Sequence, residues 1–362
     1  MTMDSFAFVI HPIDPKKDVS RKYPLLGKAL SPKLIDFFST FFPPVYLSEI
    51  EGIVSRSTGV QIKGWLLACP LTAAQMLKLP EEAVYRKIIQ TGRLAEKLGA
   101  RILGLGAYTS VVGDGGLTIA RSLDIPVTSG DALTVAMAVQ SLLKAASALE
   151  IPVRQATAAV LGATGAIGRA SAEMLAWQVE ELILIGRRAE SLEALSRTLL
   201  SKGPRARLRV STNINALSQA QLILSLTSAP HAVIQPEHLQ PGCVVCDVAL
   251  PRDVSRQVAA QRKDVLVIDG GIVDLPGQVD FHFDFGLPPG KAYACMAETM
   301  ALALEGRFED YSLGREISTA RVQEITAIAE KHGFRLSGFR SFEQTVTVEQ
   351  IDQIRQMAYL GL

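Results

Sequence analysis

Two groups of residues in this chain have the types and spacing to do chemistry. The first is Val160-Leu161-Gly162-Ala163-Thr164-Gly165-Ala166-Ile167-Gly168, which closes an apolar strand pattern and opens a helical one. Each glycine there meets a separate need: Gly162 permits a tight turn, Gly165 lets the backbone approach a pyrophosphate, and Gly168 lets helix and strand pack closely. Free amides at the helix start attract the anion. Strand, loop, helix and second strand follow in the order a dinucleotide fingerprint requires, so dinucleotide binding is expected, against the alternative of a structural turn. The second group centres on Cys295, in Gly290-Lys291-Ala292-Tyr293-Ala294-Cys295-Met296, where a loop turns into a helix. A thiol near a helix N-terminus with Lys291 upstream can be drawn toward thiolate and attack an activated acyl group. Cysteine is also among the most buried residue types, so packing as a small hydrophobe stays open beside the catalytic reading.

Further positions belong with the glycine loop. The strand Glu181–Ile185 ends in Gly186-Arg187-Arg188, where an NAD-specific protein would usually place an acid to hold the ribose 2′-hydroxyl. Arginine there can pair bidentately with a 2′-phosphate and favours NADPH; alternatively, Arg187 and Arg188 merely solvate a helix start. The polar turn Ser225-Leu226-Thr227-Ser228 falls at the carboxyl edge of a later strand, where the crevice of such sheets lies. Thr227 and Ser228 are therefore candidate cofactor contacts.

These residues need elements to hold them. From Thr157 onward, apolar strands (Ala158–Leu161, Glu181–Ile185, Leu208–Val210, Leu222–Leu226, Val244–Val248, Val265–Ile268) alternate with helical stretches. That alternation predicts an α/β fold with a Rossmann-type doubly wound parallel sheet, placed here at residues 151–288 as an NADP-binding domain. Upstream, Phe6–Ile10, Gly59–Ala68 and Arg101–Leu105 read as strands and Glu81–Leu98 as a one-faced amphipathic helix. They suggest an α/β substrate lobe over residues 1–130. Asp131 is a good N-cap for the helical run Ala132–Leu149 and Pro152 a reasonable stop, giving a connecting helix at 131–150. Residues 289–362 read as a C-terminal helical segment carrying Cys295.

Composition limits what this apparatus can serve. The chain has 362 residues, 48% apolar and 20% charged, with 37 Lys+Arg against 36 Asp+Glu. A net charge of +1 supplies no broad positive field for nucleic acid. No apolar run approaches the roughly 18–20 residues of a membrane span, and the opening residues read as a strand and not as an export signal, so a cytoplasmic location is expected. The four cysteines and five histidines show no ligand spacing, and no structural metal is expected.

The glycine loop, the block from Ala292 through Cys295 to Gly306, Asp269-Gly-Gly-Ile-Val273, Tyr311-Ser-Leu-Gly-Arg315 and Lys331-His-Gly-Phe334 carry a resemblance, with Gly104–Ser110 and Thr128–Asp131 upstream. Over about residues 6–334 the chain resembles the long-chain acyl-[acyl-carrier-protein] reductase family of cyanobacteria. The resemblance implies reduction of a fatty acyl thioester to its aldehyde with NADPH, through an acyl-enzyme on Cys295. It implies an acyl-carrier protein or acyl-CoA as donor, and an aldehyde-consuming enzyme as a further partner. Where the family usually has Gly-Gly-Phe-Ser-Ser, this chain has Gly106-Ala-Tyr-Thr-Ser110, and Asp131 replaces a common asparagine. The developing oxyanion needs a donor, for which Thr109, Ser110 or the amides near Gly130 and Asp131 are candidates; turn formation and capping are the alternatives. Phe37, Phe38, Phe41, Phe42, Trp65 and Leu66 could line an acyl tunnel or pack a core. Lys16, Lys17, Arg21, Lys22, Arg86 and Lys87 could dock an acidic carrier. An alcohol dehydrogenase of the shikimate-dehydrogenase type without a covalent step, and an NADP-binding regulatory protein, are the rival readings.

Overall fold

The computed structural model of the chain describes residues 4–360. From the amino end it runs β1 (Ser5–Ile10), α1 (Pro15–Lys22), α2 (Pro24–Ala29), α3 (Pro32–Ser39), β2 (Val45–Val54), β3 (Gln61–Ala68), α4 (Ala73–Lys78) and α5 (Glu81–Leu98). Next come β4 (Leu103–Leu105), α6 (Tyr108–Val111), α7 (Leu117–Ala120), β5 (Val127–Thr128), α8 (Asp131–Ala148), β6 (Thr157–Leu161), α9 (Ala166–Ala176), β7 (Glu181–Ile185) and α10 (Ala189–Leu200). They are followed by β8 (Arg207–Ser211), β9 (Leu222–Ser225), β10 (Val244–Asp247), α11 (Arg256–Gln261), β11 (Leu266–Asp269), β12 (Ile272–Asp274), β13 (Gly277–Asp280) and β14 (Lys291–Tyr293). The chain ends through α12 (Ala294–Glu305), α13 (Thr319–His332), β15 (Arg335–Leu336), β16 (Arg340–Ser341), β17 (Gln344–Thr345) and α14 (Val348–Leu360).

These elements gather into two compact units. The first takes the residues up to Leu133 together with Val273–Arg315 and Arg321–Arg335. Its sheet has the order β13-β2-β3-β1-β4-β5, with β1, β3, β4 and β5 parallel and β2 antiparallel to β3. Side chains alternate across such a sheet, and Ala7, Val9, Leu67, Leu103 and Leu105 face a core shared with Val84 and Ile88 of α5. Helix α12 lies against β1 and β4. Gly104 of β4 has no room for a Cβ because Thr299 of α12 and Phe8 of β1 occupy that space. The segment 289–362 is therefore not a separate C-terminal body. An α12 with nearly every residue buried cannot stand alone, and burial against β1 and β4 draws it into the first unit.

The second unit comprises Thr134–Ile272, Glu316–Ala320 and Leu336–Leu362. Its six strands are all parallel in the order β11-β10-β9-β6-β7-β8. Numbered from β6, that order is the 3-2-1-4-5-6 arrangement of two mononucleotide-binding halves. Strands buried on both faces read as continuous apolar runs. Val160, Leu182, Leu184 and Leu224 pack one face, and Ala159, Ile183, Ile223 and Val245 the other. The tail after Phe334 also folds here: Ile354 of α14 joins the core that holds Ala146 and Leu149.

Candidate functional site

In the second unit the glycine loop lies at the carboxyl end of β6. Gly162 has φ +87°, and a Cβ there would stand 2.6 Å from the Leu226 carbonyl oxygen. Gly168 would collide with the Gly162 carbonyl. Those two glycines are demanded by the fold itself. Gly165 is different: its φ is −72°, and only the Gly162 oxygen, 3.4 Å away, comes within 4 Å of a would-be Cβ. The fold would accept alanine at Gly165, so its missing side chain leaves open exposed space directly before α9. The first amides of α9, from Ala166 to Gly168, have no carbonyl of the preceding turn to bond. Ala163 is buried beneath the loop while Thr164, Ala166 and Ile167 are part-exposed on it. This cradle fits a dinucleotide pyrophosphate.

The neighbouring candidates divide. Arg187 and Arg188 follow β7, are exposed, and neither makes an ion pair or side-chain hydrogen bond among the described residues. Thr227 is instead committed to the protein. Its hydroxyl donates to Asp253, its amide donates to Asp253 Oδ2 at 2.9 Å, and its oxygen accepts from the Ala229 amide at 3.1 Å. Ser228, one residue on, is exposed. Asp253, fully buried, also accepts from Ser225 Oγ at 2.6 Å and so ties the ends of β9 and its loop. Asp247, at the end of β10, accepts the amides of Ala249 and Val254, and burial lifts its carboxyl to about 7. Sequence reasoning missed both aspartates; for Asp247 an acid closing an apolar strand was the available signal, and for Asp253, in the loop beyond, there was none.

In the first unit Cys295 is the second residue of α12, and all four cysteines are free thiols. Gly130, at φ +74°, lies so close that a Cβ would collide with the Cys295 Cα and Cβ. That contact brings Asp131, the next residue, into electrostatic range of the sulfur. Desolvation, then the Asp131 carboxyl and to a smaller extent Glu298, pushes the part-exposed Cys295 thiol up to about 12, against an opposing pull from the Met296 amide. The expectation of a thiol activated by Lys291 is corrected: the Lys291 ammonium is paired with Asp274, and the acids beside the sulfur favour the neutral form. Burial and then Glu298 hold the Asp131 carboxyl well above the usual range.

Asp131 is also not the N-cap of α8 but its first residue. The capping acceptors are Glu298 of α12, Ser312 beyond that helix, and Ser129. Glu298, fully buried, accepts from the Leu133 amide at 2.8 Å and from Thr128 Oγ1 at 2.5 Å, while Ser312 Oγ accepts from the Ala132 amide at 3.3 Å. A buried glutamate one turn after the cysteine thus fixes the start of α8 against the start of α12. Its signal in the sequence was a lone acid inside an apolar helix.

Thr109 and Ser110 stand beyond the carboxyl end of β4, the strand beside β5 that leads to Asp131. Their hydroxyls donate to Gly106 O at 2.7 Å and Ala107 O at 2.8 Å, bonds within their own turn. That turn is pinned by His11, which burial lowers to about 4. The neutral ring accepts from the Tyr108 amide through Nε2 and faces the Pro12 carbonyl through Nδ1. Phe37, Phe38, Phe41 and Phe42 line no tunnel: all are exposed at the surface, whereas Trp65 and Leu66 are buried. Of the carrier-docking candidates, Arg21 pairs with Asp18, Lys22 donates to the Leu47 carbonyl and Lys87 to the Phe42 carbonyl. A further cluster links Ser55 Oγ to His332 Nδ1 at 2.8 Å and His332 Nε2 to Glu305 at 2.7 Å. Ser55 is 2% exposed, so this chain of polar groups clamps α13 to the hairpin end and offers no nucleophile to solvent. Among the described residues no three His, Cys, Asp or Glu side chains are placed to hold a metal ion, and no helix is long and apolar enough to cross a membrane.

Known proteins resemble the chain in two ways. The profile of the shikimate / quinate 5-dehydrogenase family matches residues 144–270. An aminotransferase, PigE, from Serratia sp. is 34% identical over 306 residues, which is 84% of this chain and 36% of that protein. The chain thus spans about a third of the length of that relative. A long-chain acyl-[acyl-carrier-protein] reductase from Synechococcus elongatus is 29% identical over 339 residues, covering 89% of this chain and 95% of that protein. Among solved structures, quinate dehydrogenase from Corynebacterium glutamicum in complex with NAD aligns over 90% of this chain and 99% of its own, at 11% identity and a TM-score of 0.39.

Proposed function

We propose that the protein is an NAD(P)-dependent oxidoreductase, specifically one that uses NADPH to reduce a long-chain acyl thioester to its aldehyde through a thioester on Cys295. The observation that carries this reading is the placement of a thiol at the start of α12, against Gly130 and beside the Asp131 carboxyl. The 29% identity to the Synechococcus reductase across 95% of that protein supports it.

The chain's own residues divide the work as follows. The Asp131 carboxylate, made a stronger base by burial, accepts the thiol proton as the sulfur attacks the acyl carbon. The carrier thiolate departs, taking up a proton, and the acyl group is left on Cys295. Thr109, Ser110 and the backbone amides at Gly130 and Asp131 are our candidate oxyanion donors, each of which would first have to leave the acceptor it now bonds, Gly106 O, Ala107 O, Thr128 Oγ1 and Ser129 Oγ respectively. Glu298 holds the two helix starts together so that thiol and base keep their spacing. In the second unit the open face at Gly165 and the α9 amides take the pyrophosphate, and Arg187 and Arg188 take a 2′-phosphate. NADPH, when bound, supplies a hydride to the acyl carbon. Cleavage of the carbon–sulfur bond then returns the Cys295 thiol and releases the aldehyde. The sum is acyl thioester, NADPH and a proton going to aldehyde, free carrier thiol and NADP+.

Intact mass spectrometry after mixing with palmitoyl-CoA or palmitoyl-carrier protein, without NADPH, tests the covalent step. An acyl adduct mapped to Cys295 and lost in Cys295→Ala is expected. No adduct at saturating donor would overturn it. A second reading is favoured by the dehydrogenase profile over residues 144–270: hydride transfer to a small hydroxy or keto compound without a covalent step. That reading expects Cys295→Ala to keep most activity.

A further inference from the structure

Helix α3 carries its apolar residues at Leu34, Phe37 and Phe38, and the turn beyond it adds Phe41. This is the i, i+3, i+4, i+7 stripe that ordinarily faces a core. Here it faces outward, with Leu34 46%, Phe37 58%, Phe38 42% and Phe41 71% exposed. The helix is not loosely placed, because its other face is anchored. Ile35 and Ser39 are buried, Thr72 Oγ1 donates to Asp36 Oδ1 at 2.7 Å, Ser39 Oγ donates to Gln75 Oε1 at 3.2 Å, and the Gln75 amide donates to the Asp36 carbonyl. The exposed rings meet mainly each other, with Phe37 5.4 Å from Phe38 and 5.5 Å from Phe41 between centroids. On the preceding helix α2, Leu25 is 83% exposed.

Positive charge predominates along this part of the chain, six Lys+Arg against three Asp between Ser5 and Ser48. That stretch has no glutamate, and its three aspartates are all engaged in hydrogen bonds, Asp14 while remaining exposed. Asp14 caps α1, Asp18 accepts the Ile13 and Asp14 amides and pairs with Arg21, and Asp36 takes the Thr72 hydroxyl. Lys28 on α2 and Lys33 on α3 are exposed and make no ion pair among the described residues, and Lys16 lies exposed on α1. In a chain of net charge +1 this is a local cationic apron around an aromatic and aliphatic face. Phe and Leu seated among lysines, on helices too short to span, is the composition that lies in the interface of an anionic bilayer.

We propose that the α2–α3 face is a peripheral docking surface for anionic lipid bilayers, with the phenylalanines entering the acyl boundary and Lys28 and Lys33 meeting the headgroups. The proposal does not depend on the reaction assigned above, since none of these side chains takes part in it. Flotation of the full chain with vesicles of phosphatidylcholine containing about 30% phosphatidylglycerol tests it, beside vesicles of phosphatidylcholine alone. The chain is expected to float with the anionic vesicles, to release by about tenfold in about 0.5 M salt, and to bind neutral vesicles weakly. Phe37→Ser with Phe41→Ser should reduce flotation at least about tenfold, and Lys28→Glu with Lys33→Glu should weaken only the anionic case. Both pairs alter exposed positions, and unchanged thermal unfolding confirms that each variant is folded. Failure of the full chain to float overturns the proposal, as does flotation that neither pair reduces. A self-association abolished by the phenylalanine pair in a chain that ignores vesicles also overturns it and assigns the face to a second copy. Retention by an immobilised acidic carrier protein, lost in the lysine pair without vesicle binding, overturns it in favour of that protein.

Discussion

At the scale of single residues the site is set by proton placement. Cys295 was legible as a candidate nucleophile because its type and its place at a helix start are sequence properties. Its ionisation was not, since that depends on Asp274 taking Lys291 and on Asp131, 164 residues earlier in the chain, meeting Glu298 at the sulfur. A thiol lifted to about 12 is almost wholly protonated at neutral pH. Its reactivity toward iodoacetamide should therefore climb about tenfold per pH unit between about 7 and 10 without a plateau. Because Asp131 disfavours the thiolate, Asp131→Asn should speed alkylation at any pH in that range by roughly three- to tenfold, while slowing enzyme acylation by palmitoyl-CoA at neutral pH through loss of the base. Peptide mapping of alkylated Cys295 across the pH series checks both. A plateau below about pH 9 would show that the folded protein stabilises the thiolate after all.

At the scale of elements, the strands that were readable are those with an undisturbed period. β6, β7, β9 and β10 are apolar except for one polar end residue each, because both faces are covered, and they are bounded by turn residues. β2 escaped notice. Its pairing with β3 shifts register between Tyr46 and Ser48 and again between Ile50 and Ile53, and each irregularity breaks the alternation that marks a half-buried strand. The bonding of Thr227 was hidden for a similar reason: its partner Asp253 lies 26 residues on, beyond any local pattern. The carboxyl edge of the second sheet carries a pH dependence. Burial chiefly, with Asp253 adding to it, raises Asp247 to about 7, against about 3.9 in an unfolded chain. Between those values the native protein holds a proton that the unfolded chain has released. The contribution of Asp247 to stability is therefore greatest below about pH 4 and declines as pH rises through about 7, by up to about 4 kcal/mol. Asp247→Asn removes that decline, so wild type should lose ground to the variant steadily from about pH 4 to 8 in urea unfolding. A difference between the two that stays constant with pH would mean that Asp247 titrates normally.

At the scale of the whole molecule, two sheets of different construction were foreseeable from the change of pattern near residue 150, but the tracing of the chain through them was not. Unit one closes with α12 and most of α13, and unit two closes with the tail, so both are discontinuous in sequence. Hydrophobic periodicity reports that a helix has a buried face; it does not report which sheet covers that face. The tail shows this most clearly, because α14 reads as polar and amphipathic, yet its few apolar positions are well used. Ile354 is 9% exposed in the core of the second unit with Ile351 packed beside it, and a Cβ at Gly242 would stand 2.6 Å from that of Ala358. Arg355 donates to the Ala148 carbonyl at 2.7 Å and pairs with Glu150 at 3.0 Å, which closes the C-terminal end of α8. Deleting α14 after Thr347 uncovers Leu149 and removes Ile351 and Ile354, a loss of about 3 kcal/mol from apolar burial and end-capping. For a unit of this size that corresponds to a fall of roughly 6–12 °C in the unfolding midpoint. Ile354→Ala alone should account for about half of it if packing dominates, and Arg355→Ala for less than about 1 kcal/mol, since its ion pair lies at the surface. Differential scanning calorimetry of the three variants separates these contributions. A truncated chain that melts with the full one would mean that α14 rests on the second unit without stabilising it.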